Sequence, residues 1–211
     1  MHLRAAQPNR ETIDPDYAVA RELAGKELEP RLLYGLLLLK ARDRNDTVPH
    51  FEELSLEHPD LLLPLQGIAW MQFDLRRYPA GVMQLAELAG RIPAPEDGKT
   101  YDAHTLGLFT WAGRLGEFAA RAVPDAWQVP AETLDRLDAA VARHGVDARE
   151  AFEQGRATVR KVIADFDRCI AAADTDATEA RLRIERRQLG HYASFPFEEE
   201  AARILAGLDR E

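Results

Sequence analysis

The chain can be laid over itself at an offset of 34 residues, and that register constrains its fold more than any other feature. Gly35 falls on Ala69, Thr47 on Gly81, Phe51 on Leu85 and Pro59 on Pro93. A small residue inside one helix, a small residue opening the next, a large apolar residue four positions on and a closing proline describe a repeated helix pair. No such pair buries its apolar face alone, so successive pairs are expected to stack.

The rest of the chain also reads as helix. No stretch shows the strict alternation and β-branched enrichment of a strand, so the expected fold class is all-α. A first helix starts at Asp14, with Pro15 in its first position, and ends near Glu29. A second spans about Pro30–Arg42, and Pro49 opens a short third that His58-Pro59 stops. Leu61–Leu75 and Pro79–Gly90 form a hairpin across Arg76-Arg77-Tyr78. A third pair is expected from Tyr101 to Leu115 and from Glu117 to Val123, joined across Gly116. Beyond Pro130, helices follow over Ala131–His144, Asp147–Ala173 and from Asp176 to about Leu189, and a last one ends near Leu208. The prolines bracketing residues 124–130 suggest three parts: a helical-hairpin array over 1–123, a linker over 124–130, and a C-terminal helical bundle with one long helix over 131–211.

From Arg31 to Pro93 the chain resembles the tetratricopeptide repeat family. Tyr34-Gly35 and Ile68-Ala69 stand where that family places a large residue before a small one. Thr47 and Gly81 take its next small position, and Pro59 and Pro93 close each unit. The family's early tryptophan is replaced by Arg31 and Leu65, and its later aromatic by Leu38 and Gln72. The resemblance implies stacked hairpins with a groove for a peptide or partner helix, and no intrinsic catalysis. The family's peptide clamps use asparagine and lysine, whereas the only asparagines here are Asn9 and Asn45. Apolar or charged side-chain contacts are therefore the expected mode.

Composition narrows the function classes. With 36 acidic against 27 basic residues the net charge is −9, which repels a phosphate backbone, and no nucleic-acid partner is expected. The longest apolar stretch, around Leu36–Leu39, is too short to cross a bilayer, so no membrane partner is expected either. The N-terminal ten residues lack a signal-peptide core. The single cysteine, Cys169, fits a reducing, cytoplasmic setting and is expected to be buried beside the apolar stripe of the long helix.

Catalytic patterns are weak throughout. His50, Glu53 and Glu57 share a helical face, but the spacings of di-iron bundles and zinc proteases are absent, so no metal or cofactor is expected. Gly98-Lys99-Thr100 imitates the end of a phosphate loop, yet the position of the loop's first glycine is Pro93. Neither Ser55 nor Ser194 lies in a nucleophile elbow.

The expectation is a non-enzymatic scaffold or adaptor that binds another protein or peptide. The alternative is a helical enzyme or ligand-binding regulator with a polar interhelical pocket near Tyr101, His104 and Arg114. A homo-oligomer through the C-terminal helices is a further possibility. Candidate partner-binding residues are Trp127 in the junction, Tyr101, His104 and Arg114, and Arg183 and Arg187; the last two, with Arg181, Arg186, Arg156, Arg160 and Lys161, make either a basic patch or, the favoured reading, a charged solvent face balanced by Glu153, Asp165, Glu179 and Glu185. Trp70, Trp111 and Trp127 are all expected first to be packing anchors, with Trp127 the candidate for a binding centre if one of them is exposed. If the small positions mark close helix contacts, Ala69→Leu should overpack and lower stability by about 1–3 kcal/mol. An unchanged unfolding midpoint would place Ala69 away from any close contact.

Overall fold

Prolines and two left-handed residues punctuate the chain into helices. The computed structural model describes residues 27–43, 45–95, 99–187 and 195–208. Among these there is no strand, and nine α-helices form: α1 Leu28–Ala41, α2 Thr47–Glu57, α3 Leu63–Asp74, α4 Tyr78–Arg91, α5 Ala103–Arg121, α6 Ala131–Ala142, α7 Val146–Ala171, α8 Asp176–Arg187 and α9 Phe197–Leu208. The all-α expectation holds. Arg42, at φ 54°, ends α1, and Arg76, at φ 59°, turns α3 into α4. Asp102 caps α5 by accepting from the Thr105 amide at 2.6 Å.

The helix expected to start at Asp14 lies, as far as Lys26, outside the described residues, as do Gly98 and Tyr192–Ser194. The two helices expected on either side of Gly116 are one, α5, running through it. A Cβ there would come within 2.9 Å of Leu137 Cδ2, so packing against α6 offsets the helix cost of glycine, about 1 kcal/mol. Residues 124–130 do leave the helical path, through a single 3-10 turn at Asp125–Trp127.

The described residues divide into two compact units, one within 27–71 and 195–208 and the other within 72–187. This differs from the expected division at 124–130 in two ways. The junction lies inside the second unit, because helices on its two sides pack together. The last helix belongs to the first unit, where α9 packs on α1. The division falls within α3.

The first unit is built around Phe51, which has no exposed surface. A Cβ on Gly35 of α1 would come within 2.6 Å of its Cε1, and one on Gly67 of α3 within 2.6 Å of its Cε2. The ring therefore needs both glycines. The expected small position Gly35 does meet the large apolar residue of the following helix, while its match Ala69 is fully buried. Trp70 and Phe195 are buried with ring centroids 6.4 Å apart.

In the second unit the most extensive packing joins helices that are two apart in sequence, α5 with α7 and α4 with α6. Both pairs run parallel. Gly113 of α5 meets Phe152 of α7, and Glu117 meets Arg160, so the contacts advance together along both helices. Met83 meets Arg136, and Ala89 meets His144 just beyond α6, in the same sense. The α5–α7 crossing is backbone on backbone. A Cβ on Gly113 would lie 2.1 Å from the Phe152 carbonyl oxygen, and one on Gly155 2.1 Å from that of Thr110. Neither carbonyl can give way without moving its helix. Gly113→Ala and Gly155→Ala should each destabilise the protein by about 3 kcal/mol or more, beyond the range for a repacked side chain. Chemical denaturation checks this, with Gly107→Ala, where a Cβ meets nothing within 4 Å, as the control, expected to leave stability unchanged or raise it by up to about 1 kcal/mol.

Candidate functional site

One face of α5 carries the site. One turn beyond the glycine crossing, Glu117 projects between α5 and α7 and is 4% exposed. Desolvating a lone carboxylate this far is unfavourable, so its stability depends on pairing. Arg160 supplies a fork, Nε to Oε1 at 2.9 Å and Nη2 to Oε2 at 3.1 Å. Arg121, one turn further along α5, pairs with Oε1, and Arg156 Nε stands 3.9 Å from Oε2. The hydrogen bond to Glu117 is the main reason that the Arg160 guanidinium is held above its usual range. Arg156 also pairs with Asp138 of α6 and Glu153 of α7, and its guanidinium lies 4.4 Å from the centroid of the Phe152 ring. The cluster thus ties α5, α6 and α7 together.

Past this clamp α5 and α7 leave a cleft of about 910 Å³. Arg121 to Pro124 form one side, Asp167, Ile170, Ala171 and Ala173 a second, and Glu179 and Arg183 of α8 the third. Both α5 and α7 end here. Arg183 donates from Nε to Glu179 at 2.8 Å, and Arg121 shares Glu117 with Arg160.

The candidate residues separate in space. The Tyr101 hydroxyl hydrogen-bonds His144 Nδ1 at 2.6 Å, and Nε2 of that histidine donates to the Ala89 carbonyl at 2.7 Å. Burial raises the Tyr101 phenol above its ordinary value. His144 thus joins α4 to the approach to α5 and packs on Phe109, with centroids 4.9 Å apart. His104 is half-buried in the first turn of α5. Arg114 lies at the α5–α7 crossing, its backbone nitrogen 3.1 Å from where a Gly155 Cβ would stand. It is eleven residues beyond Ala103, about 16 Å along the helix, so Tyr101 and Arg114 do not share a site.

Trp127 is 41% exposed. Its ring lies 6.3 Å from that of Tyr78, and the Arg76 guanidinium stands 5.2 Å from its centroid. Trp70 and Trp111 are buried.

Arg183 lines the cleft, and the Arg187 side chain lies outside the described residues. Arg181 pairs with Glu185, Arg183 with Glu179, Arg156 with Glu153 and Arg160 with Glu117, so these arginines form a charge-balanced face rather than a basic patch. Cys169 is exposed rather than buried, because the stripe that α7 turns inward runs through Ile163, Phe166 and Ile170 and passes beside it. On α2, Glu53 and Glu57 pair with Arg31, and no group of three metal-ligating side chains occurs among the described residues.

The Glu117 cluster and its cleft were not foreseen, although a carboxylate inside the apolar run Leu108–Ala119 was the available signal. No helix among the described residues is long and apolar enough to cross a membrane. No family model, curated protein or solved structure matches the chain.

His50 provides a pH-dependent test of the α2 face. Its Nε2 donates to the Arg31 carbonyl at 2.8 Å, and burial, reinforced by the Arg31 charge, lowers its pKa against the opposing pull of that hydrogen bond and Glu53. The unfolded chain therefore binds the proton more readily, and stability falls as pH drops below the ordinary histidine value of about 6.5 towards the folded value. Between pH 7.5 and 5.5, Tm should fall more for the wild type than for His50→Gln, which keeps a donor for Arg31. Equal falls would remove His50 as the cause.

Proposed function

We propose that this chain is a non-enzymatic scaffold or adaptor that holds another protein or a peptide on stacked helical hairpins of the tetratricopeptide type. The observation that carries the reading is the parallel packing of alternate helices, α4 with α6 and α5 with α7. Stacked hairpins produce this arrangement, since each helix lies beside its equivalent in the next pair. The spacing is looser than the 34-residue register: Arg160 lies 43 residues after its partner Glu117, and His144 lies 55 after Ala89. The kinship proposed is one of packing mode, with insertions between the later helices.

The polar groups support a structural role over a catalytic one. Tyr101 and His144 hydrogen-bond each other and the backbone, and Glu117 is engaged by arginines. The net charge of −9 disfavours nucleic acid, and the exposed thiol of Cys169 suits a reducing, cytoplasmic setting. Trp127, exposed yet held against Arg76 and Tyr78, has the rigid aromatic surface that concentrates binding energy.

Affinity capture from native lysate, with the full chain as bait, tests the reading. A reproducible protein partner is expected, its recovery reduced at least tenfold by Trp127→Ala while the circular dichroism is unchanged. Recovery of no protein, together with a stoichiometric co-purifying small molecule, would overturn it.

A further inference from the structure

We propose that Arg76 and Trp127 together recognise an acidic segment of the partner protein: an aspartate or glutamate carboxylate takes the Arg76 guanidinium, and a neighbouring apolar side chain lies on the exposed indole. This deepens the scaffold reading and rests on it.

The backbone at Arg76 is left-handed, with φ 59°, a conformation that favours glycine or asparagine and costs free energy at a longer side chain. The turn is locked all the same. The Arg76 amide donates to the Phe73 carbonyl at 3.0 Å, and the Arg77 amide to that of Gln72 at 2.8 Å. Glycine would make both bonds with less strain, so nothing in the turn itself calls for an arginine side chain.

That side chain is held without being neutralised. Its guanidinium lies over the Trp127 ring, 5.2 Å from the centroid. No carboxylate among the described residues pairs with Arg76 or with Arg77, its exposed neighbour. By contrast, Arg91, Arg121, Arg156 and Arg160 of the same unit all have carboxylate partners. Burial raises the Tyr78 phenol above its ordinary value against the opposing pull of the Arg76 charge, which therefore reaches the foot of the site.

Trp127 makes the arrangement rigid. Its amide donates to the Pro124 carbonyl at 2.8 Å within the 3-10 turn, and its ring rests on Tyr78, with centroids 6.3 Å apart. Tyr78 is buried and meets Phe73 and Phe118 edge-on, at 5.7 and 5.8 Å. The indole is thus supported from the core while 41% of the residue stays exposed. An arginine already ordered on an aromatic face loses less freedom when a carboxylate takes its forked donors. The indole beside it offers apolar surface to the next side chain.

These groups select the occupant. A cation would be repelled by Arg76 and Arg77, and a purely apolar segment would cover a guanidinium without giving it a partner. A nucleic acid carries charge along its whole length and meets the net charge of −9, whereas an acidic segment brings carboxylates only where the arginines stand. At physiological salt that net charge is screened beyond about 8 Å and weighs little against contact at hydrogen-bonding distance. The site is made of two turns rather than of helix faces, so a short extended segment suffices to fill it.

The test uses the full chain, labelled with ¹⁵N, and two capped octapeptides, one of alternating glutamate and leucine and one of alternating lysine and leucine. The glutamate peptide should cause saturable shifts at the Trp127 indole N–H and at the amides of Arg76 and Arg77, and the lysine peptide none. Arg76→Gly suits the left-handed backbone, so its Tm should be equal or higher while it binds the glutamate peptide at least tenfold more weakly, a combination that misfolding cannot produce. Arg76→Lys keeps the charge without the planar fork and should weaken binding at least threefold. Absence of saturable shifts at Trp127, equal binding of the two peptides, or wild-type affinity in Arg76→Gly would overturn the assignment, as would tighter binding of a single-stranded oligonucleotide at the same indole. A lysate partner lost with Trp127→Ala but retained by Arg76→Gly would leave the scaffold reading standing and remove the acidic segment. Binding of the glutamate peptide at Trp127 with no protein captured from lysate would remove the scaffold reading alone.

Discussion

The second unit depends on the contact between two glycines. Gly113 and Gly155 let the backbones of α5 and α7 touch, each helix placing a carbonyl where the other would carry a Cβ. Such an approach sets the spacing of everything further along the pair. One turn on, the helices are close enough for Arg160 to grip Glu117 with two hydrogen bonds. Two turns on, Arg121 stands at the edge of the cleft. Close packing, ion pairing and open volume follow one another along a single face of α5.

Glu117 illustrates how burial and charge are reconciled. A carboxylate that is 4% exposed is tolerable only where its oxygens are engaged, and the surrounding arginines come from the same helix and from its parallel neighbour. These arginines are partly exposed, so the favourable Coulomb energy is screened and the cluster acts chiefly to align the helices. Arg156 extends the alignment to α6 through Asp138. Asp138 of α6 is thereby fastened to the same arginine that approaches Glu117 of α5.

The first unit uses side-chain volume where the second uses backbone contact. Phe51 fills the space that Gly35 and Gly67 leave empty, so one aromatic ring joins α1, α2 and α3. This pairing was partly legible: Gly35 and Phe51 belong to the 34-residue register, as a small residue and the large one that fills its gap. Gly67 was not singled out, because it stands two positions from the register's Ala69. Helical extent was legible from prolines and apolar spacing, yet Gly116 was misread as a break. Its contact with Leu137 comes from a helix 21 residues away in the chain, a neighbour that local spacing does not reveal.

By itself the sequence determined helix: the spacing of apolar residues, the prolines that open or stop each segment, and the absence of strand-like alternation are local properties. It also determined the acidic charge and the lack of any apolar run long enough to span a bilayer. Only tertiary structure decided which helices meet. It placed α9 on α1, set residues 124–130 inside a unit rather than between two, and separated Tyr101 from Arg114 while joining it to His144. The physical reason is distance along the chain. A helix face is written within a few turns, whereas the partner that buries it, like the carboxylate that neutralises an arginine, is chosen by packing among residues tens of positions apart.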